Sequence, residues 1–333
     1  PDLSASLPGL IRHFIPCNDK VGGKIMSKKL NVLMLGAEVA PFAKVGGLGD
    51  VVGSLPKALK KLGVDVRVMM PLYGSINRKK YELKKIYGGL EVPSGRALIK
   101  VSIWEGKLPG SSVKIYFIDA PDYFKFREVY VSGDNSERFL FFTLASLYSL
   151  PIINFDANIV HAQDSHVAMA ADIIKTTNLA WIRKLKTLYT IHNFHYQGKA
   201  SPMVLNTANL HADSLKQITN DIKDGDLNFT VKGMISSDLI NTVSPTYAKE
   251  IGTRFYGSGL ERIAQKRKKD LSGIVNGIDM KNFDPSRDDL IPQKYSVRSI
   301  DKKKINKIAL QKAAGLPINE NIPICGLVSR LVW

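Results

Sequence analysis

Apolar positions in this chain come in two textures, short unbroken runs and runs spaced by three or four residues. Val32-Leu33-Met34-Leu35 is unbroken and short, the mark of a strand buried on both faces. Beyond a loop, Val51, Leu55, Ala58, Leu59 and Leu62 recur at helical spacing and predict a helix with one apolar face. Val64 to Met70 alternates and then runs apolar, predicting a second strand. Between Tyr81 and Pro121 the texture changes to β-type runs separated by turn signals at Pro93-Ser94-Gly95 and Pro109-Gly110-Ser111. That stretch predicts an antiparallel excursion attached to a parallel sheet. Ser136 to Leu150 is apolar almost all round and predicts a buried helix, with Ser136 as its cap and Glu137 in its first turn. Further strands are expected to end at Val160 or His161, at Ile191, and near Thr242. A short helix is predicted over Phe229 to Ser237, another is capped by Ser244 with Pro245 in its first position, and a last strand ends at Asn276-Gly277. Strands alternating with helices give an α/β fold in which residues 30 to about 285 form one domain.

The first strand–loop–helix unit carries candidate chemistry. Lys44-Val45-Gly46-Gly47-Leu48-Gly49-Asp50 places backbone N–H groups at a helix N-terminus, which attracts anions. Gly46 and Gly47 lack a Cβ and would let a phosphate approach the main chain, with the Lys44 charge beside it. The alternative is an ordinary strand-to-helix turn with glycines for close packing. The loop is neither G-x-G-x-x-G nor the Walker pattern, which disfavours a dinucleotide site or a P-loop NTPase.

Composition narrows the class. The 333 residues are 44% hydrophobic and 23% charged, as in soluble globular proteins, and no apolar run approaches the roughly 18 residues of a membrane span. The only cysteines, Cys17 and Cys325, lie at opposite ends of the chain. They give no disulfide framework and suit a reducing cytoplasm. The formal charge of +17 invites a nucleic-acid partner, but the basic runs Arg78-Lys79-Lys80, Lys266-Arg267-Lys268-Lys269 and Lys302-Lys303-Lys304 lack interleaved aromatics. A solvated basic face, with neither nucleic acid nor membrane as partner, is expected.

Two later units bring polar residues to strand ends. Asp164 and His166 follow the strand through Val160, and His192 follows the strand through Ile191, so all three are expected at the carboxyl edge of the sheet, where open α/β sheets bind ligands. Alone, Asp164 reads equally as a helix cap and His192 as a hydrogen-bonded structural residue; convergence of two units on one crevice favours a site. No G-x-S-x-G elbow or Cys/His pair supports a hydrolase triad, and His161, His166, His192 and His195 lack zinc-site spacing.

The wording of these stretches resembles one family. Glu38, Pro41 and the run from Lys44 to Leu59, with its mid-helix Pro56, resemble the N-terminal signature of bacterial glycogen synthases and plant starch synthases, glycosyltransferase family five. His161, Asp164 and His166 match a second pattern, in which Ser165 stands where the family usually has Trp. His192, Asn193, Tyr196, Gln197 and Gly198 match a third, with an unusual His195. Further matches are Thr242 to Ala248, Gly257 to Leu260, Leu271 to Asp279, the basic helix from Lys302 to Ala314, and the apolar run from Ile322 to Leu331.

The resemblance implies the Rossmann-like N-terminal domain of a GT-B glycosyltransferase, followed by only the first strand of a second Rossmann-like domain. Residues 1–25 would be a poorly ordered peripheral extension, with Met26 as a natural start. Residues 26–287 would be the acceptor-side catalytic domain, 288–320 a connecting segment, and 321–333 the start of the second domain. The family's reaction moves glucose from ADP-glucose or UDP-glucose to the 4-OH of an α-1,4-glucan with retention, using no cofactor beyond the donor and no metal. By resemblance, Lys44, Gly46 and Gly47 would meet the diphosphate and Arg330 the leaving phosphate. His192 would lie against the reacting sugar, Asp164 would orient a hydroxyl, and Glu38, Asp50, Tyr130, His166, Asn193 and Asn276 would line the cleft. An indole offers about 150–250 Å² of contact that Ser165 does not, so a Trp restored there is expected to strengthen sugar binding. A chain ending at Trp333 is expected to fold without measurable synthesis. A glucan- or nucleotide-binding fragment, or a GT-B transferase with another acceptor, are the alternatives.

Overall fold

The computed structural model describes residues 30–133, 135–210, 225–280 and 283–328. The expectations for residues 1–25, Asn282 and Arg330 lie outside them. The chain divides into two compact units, Pro1–Asn276 and Gly277–Trp333. Among the described residues no helix is long and apolar enough to cross a membrane.

The first unit is built on a nine-stranded sheet. Strands β1 (Asn31–Leu35), β2 (Asp65–Pro71), β3 (Lys84–Ser94), β4 (Ala97–Lys107), β5 (Lys114–Asp119), β6 (Ile159–Gln163) and β7 (Lys186–Ile191) are followed by a two-stranded ribbon of β8 (Lys199–Ala200) and β9 (Leu227–Asn228). β10 (Leu239–Thr242) and β11 (Leu271–Gly273) complete the sheet, in the order β11-β10-β7-β6-β1-β2-β5-β4-β3. β1 lies at the centre, parallel to β2 (Val32 opposite Val66) and to β6 (Val32 opposite Ile159). Its Leu33, Met34 and Leu35 are completely buried, as a strand covered on both faces requires. β4 runs antiparallel to both β5 and β3, which is the expected excursion. β5 turns back to pair parallel with β2 and so returns the chain to the main sheet.

The helices cover this sheet. α1 (Gly47–Lys61) buries Leu48, Val52 and Pro56 and runs through Pro56 without ending. α2 (Ser136–Tyr148) is buried from Arg138 to Leu147, and Phe139, Phe141 and Phe142 are among the largest enclosed side chains. Its cap position is Asn135, not Ser136, which is the first helical residue. Asn135 Oδ1 turns away from the helix end, accepting from Val131 N–H and from the Arg138 guanidinium. α3 (Ala170–Thr176) and α4 (Phe229–Ser236) face each other through a fully buried pair, Lys232 Nζ 3.3 Å from Asp172 Oδ1. Ser244 caps α5 (Pro245–Glu250) by accepting from Tyr247 N–H, as its sequence predicts.

Strand ends differ from the sequence reading in two places. β6 continues to Gln163, because Thr190 O accepts from Asp164 N–H and the ladder with β7 extends to that point. β11 ends at Gly273 rather than at Asn276-Gly277: it is paired only with β10, whose own strand stops at Thr242.

The second unit holds α7 (Lys303–Ala313), preceded by a turn in which Ser296 and Ser299 cap each other reciprocally. α6 of the first unit is Glu261–Lys266. The expected strand over 322–331 is absent from its described part, 322–328, where Leu327 and Val328 are exposed. Backbone donors and acceptors need a partner strand, and among the described residues this unit contains none.

α1 approaches the 36–43 segment closely enough to exclude any side chain at Gly53, where a Cβ would lie 2.5 Å from the Ala40 carbonyl oxygen. Gly53→Ala is therefore expected to destabilise the first unit by about 1–3 kcal/mol, read as a lower urea midpoint. An unchanged midpoint would show that the helix can shift freely.

Candidate functional site

The carboxyl edge of the sheet is where β1, β6 and β7 release their chains, and it gathers most of the polar residues singled out above. Glu38, three residues beyond β1, is almost completely buried. Its Oε2 accepts from Val45 N–H at 2.7 Å and Gly46 N–H at 2.8 Å, and its Oε1 accepts from the Tyr130 hydroxyl at 2.5 Å. The glycine loop is thus folded around a carboxylate of its own chain. This corrects one expectation: the Gly46 amide is engaged with Glu38 and not open to a phosphate. A Cβ at Gly46 or Gly47 would meet nothing within 4 Å, so the space in front of the loop is open. Lys44 pairs with Asp50 across the loop at 2.7 Å, both about half exposed. Such an exposed pair is weak and exchangeable.

Tyr130 continues the chain of contacts. Its ring stacks on His166 at 5.1 Å, and Phe139 meets the same imidazole edge-on at 5.0 Å. Burial, with Glu38 beside it, raises the Tyr130 hydroxyl far above its ordinary range, so it stays a donor. Burial also lowers His166 to about 4, and its Nδ1 is buried with no hydrogen-bond partner.

Asp164 is the strained member. Its φ of 66° and ψ of 178° fall in a region that is essentially reserved for glycine and commonly costs about 1–3 kcal/mol. The conformation is held by Asp164 N–H donating to Thr190 O at 2.8 Å and by its own Oδ1 accepting from Ser165 N–H at 3.0 Å. Asp164 therefore does cap the short turn Ser165–Val167, yet in a backbone state that capping alone does not require. Burial raises its carboxyl to about 7, against the pull of the Ser165, His192 and Asn193 backbone N–H groups.

His192 leaves β7 partly buried, with Nε2 2.7 Å from Gln163 Oε1, and burial lowers it to about 4. Asn193 is exposed, and its Oδ1 accepts from His195 N–H at 2.9 Å. Asn276 is exposed beyond the edge strand β11 and takes no part in this hydrogen-bonded group. Sequence reasoning passed over Gln163, Thr190 and Asn241, which lie buried beneath His192 and His161; polar residues inside otherwise apolar strands were the available signal.

Beside this group opens a cavity of about 1,020 Å³, walled by Tyr130, Phe139, His166, Gln197 and Phe229 among others. Ser165 is on its wall, packed against Gly198, and His195 reaches it from the loop after β7. Aromatic faces with convergent polar groups suit a polyhydroxylated ligand.

Titration of this cluster contributes to the pH dependence of folding. His161, lowered to about 3 by burial and then by His192, joins His166 and His192 in staying neutral in the fold while the unfolded chain takes up protons near 6.5. Their stabilisation is lost as pH falls from about 6.5 to 4. Asp164 acts oppositely, because its raised carboxyl keeps a proton to about pH 7, so its contribution is full below about 4 and lost as pH rises. Three groups oppose one, and acidification destabilises. Asp164→Asn removes the opposing group, so urea unfolding at several pH values should show a dependence steeper by about one proton, or ~1.4 kcal/mol per pH unit. An unchanged slope would contradict the burial of that carboxyl.

Comparison with known proteins agrees with this architecture. Residues 31–266 match the family described as starch synthase catalytic domain. The chain is 41% identical over 309 residues to a glycogen synthase of Thermotoga petrophila, covering 91% of this chain and 63% of that one. It is 37% identical over 313 residues to glycogen synthase 1 of Geobacter metallireducens, covering 92% and 62%. It thus spans less than two thirds of the length of these relatives. Its fold matches the catalytic domain of starch synthase IV from Arabidopsis thaliana bound to ADP and acarbose, with a TM-score of 0.80, 32% identity, and coverage of 87% of this chain and 60% of that chain. The sheet is accordingly that of the N-terminal part of a GT-B glycosyltransferase, and the chain belongs to the starch synthase catalytic domain family.

Proposed function

We propose that this chain supplies the acceptor-side half of a retaining glucosyltransferase that moves glucose from ADP-glucose, or UDP-glucose, to the non-reducing 4-OH of an α-1,4-glucan. The observation that carries this is the strained, buried Asp164 set between Tyr130–His166 and His192, next to Ser165 and His166 on the wall of a cavity large enough for several sugar rings. The binding of ADP and acarbose by the starch synthase IV relative supports a nucleotide donor and a glucan-like acceptor.

In this proposal the acceptor lies in the cavity against Tyr130 and Phe139, and Asp164 accepts a hydrogen bond from one of its hydroxyls. His192 lies against the transferred sugar. Lys44 and the Gly47 amide at the start of α1 face the diphosphate. Basic side chains and a helix N-terminus stabilise the charge that develops on the leaving group, without a resident cofactor or metal. Asp50 releases Lys44 to the donor, Glu38 holds the loop, and Asn193 and Asn276 contact the ligands from the rim. The same composition that suits a reducing cytoplasm suits such an enzyme.

Transfer of labelled glucose from ADP-glucose to glycogen, with UDP-glucose in parallel, tests the proposal when this chain is joined to the remaining part of the Thermotoga petrophila relative, since the chain alone is expected to show no synthesis. Asp164→Asn is expected to lower transfer by about 10²-fold or more, the usual effect of losing one group that acts on the reacting sugar. Undiminished transfer would remove Asp164 from the reaction. Ser165→Trp places an indole on the cavity wall and is expected to tighten maltoheptaose binding several-fold in calorimetric titration. Affinity that is unchanged or weaker would show that this wall does not meet the glucan.

A further inference from the structure

Beneath His192 the sheet carries a run of polar side chains for which the proposed transfer has no use as such. His192 Nε2 lies 2.7 Å from Gln163 Oε1, and Gln163 Nε2 lies 2.9 Å from His161 Nε2. His161 Nε2 is 2.6 Å from Thr190 Oγ1, which is also 2.6 Å from Asn241 Oδ1. These residues come from β6, β7 and β10, three neighbouring strands, and from the first residue after β7. Gln163 is completely enclosed, and His161, Thr190 and Asn241 nearly so.

The chemistry of these groups permits few arrangements. An amide donates only through nitrogen and accepts only through oxygen, and a neutral imidazole has one donor and one acceptor nitrogen. Burial keeps both rings neutral, so each holds one proton. Gln163 turns Nε2–H toward His161 Nε2, which must then be bare, with the His161 proton on Nδ1. It turns Oε1 toward His192 Nε2, which must then carry that ring's proton. Thr190 has a single hydroxyl proton. With His161 Nε2 bare, that proton goes to His161, whose one lone pair is then shared with Gln163 Nε2–H, and the Asn241 amide must turn its nitrogen to Thr190 Oγ1.

The opposite setting is also self-consistent. Thr190 would donate to Asn241, His161 would carry its proton on Nε2, Gln163 would be reversed, and His192 would be protonated on Nδ1. It keeps Thr190 donating to Asn241 Oδ1, and each setting reverses one amide; in both, Gln163 obliges the two rings to carry their protons on opposite nitrogens.

We propose that Gln163 is a positioning residue that locks His192 in a single tautomer, opposite to that of His161, so that one defined ring atom of His192 meets a ligand hydroxyl. The consequence for transfer rests on His192 meeting the sugar; the tautomer itself does not.

Long-range ¹H–¹⁵N correlation spectra of the imidazole rings, taken without substrate near pH 7, test it. The His192 signals are assigned by their loss in His192→Gln. Wild-type protein should show each ring as a single form, one protonated on Nε2 and the other on Nδ1. In Gln163→Leu the single form should be lost, with His192 populating both tautomers. Wild-type rings protonated on the same nitrogen, or a Gln163→Leu protein in which His192 keeps its unmixed form, would overturn the proposal. If the variant fails to fold, the wild-type spectrum still shows whether the two rings carry opposite tautomers. Expected tautomers together with absent maltoheptaose binding would instead count against the acceptor site and leave the positioning role standing.

Discussion

A buried carboxylate must find donors or lose its charge, and Glu38 finds three: two backbone amides of the loop and the Tyr130 hydroxyl. That requirement shapes the whole carboxyl edge. The Val45 and Gly46 amides wrap the loop back over the end of β1, which fixes where α1 starts. The Tyr130 bond ties the segment between β5 and α2 to β1, although 92 residues separate the partners in sequence. Tyr130 then stacks on His166, just after β6. One side chain thus brings three distant stretches of chain to a common point. Removing the carboxylate would leave the Val45 and Gly46 amides and the Tyr130 hydroxyl without their acceptor at once.

Strain and neutrality mark the same edge. The fold stores an unfavourable backbone at Asp164, and it keeps three imidazoles uncharged near a carboxyl that holds its proton to about pH 7. Each of these works against stability on its own, and structures tolerate them where the surrounding hydrogen bonds over-determine the geometry. Here the ladder from β6 to β10 supplies that over-determination. Neutral imidazoles and a protonatable carboxyl can donate or accept hydrogen bonds to hydroxyl groups without the desolvation that a full charge would demand.

The parallel sheet was legible because β1, β6 and β7 are short apolar runs with helices between them, and the antiparallel excursion because its turn residues are explicit. The site was legible by position, since residues that follow strands in open α/β sheets collect at one edge. What sequence left hidden depends on three-dimensional pairing. Nothing local says that Glu38 takes the Gly46 amide or that Asp164 adopts a positive φ. Gln163 read as one polar residue among several, because its partners are His161 on its own strand and His192 just after the neighbouring strand. The run from Ile322 had the composition of a strand, but composition supplies no partner, and a lone strand leaves its backbone unpaired.

The engagement of the loop by Glu38 also changes what an anionic ligand can use there. A helix N-terminus offers only a few unpaired amides, and two amides of this loop are already committed to an internal carboxylate. A diphosphate arriving in the open space before Gly47 would meet the negative charge of Glu38 behind the loop as well as the positive end of α1. The net attraction must then come from Lys44, which is half exposed and held only by Asp50 on the same loop. Because that pair is exposed, exchanging Asp50 for another anion costs little. In the proposed reading, the glycines would provide access, Glu38 rigidity, and Lys44 with the Gly47 amide the attraction for a donor diphosphate.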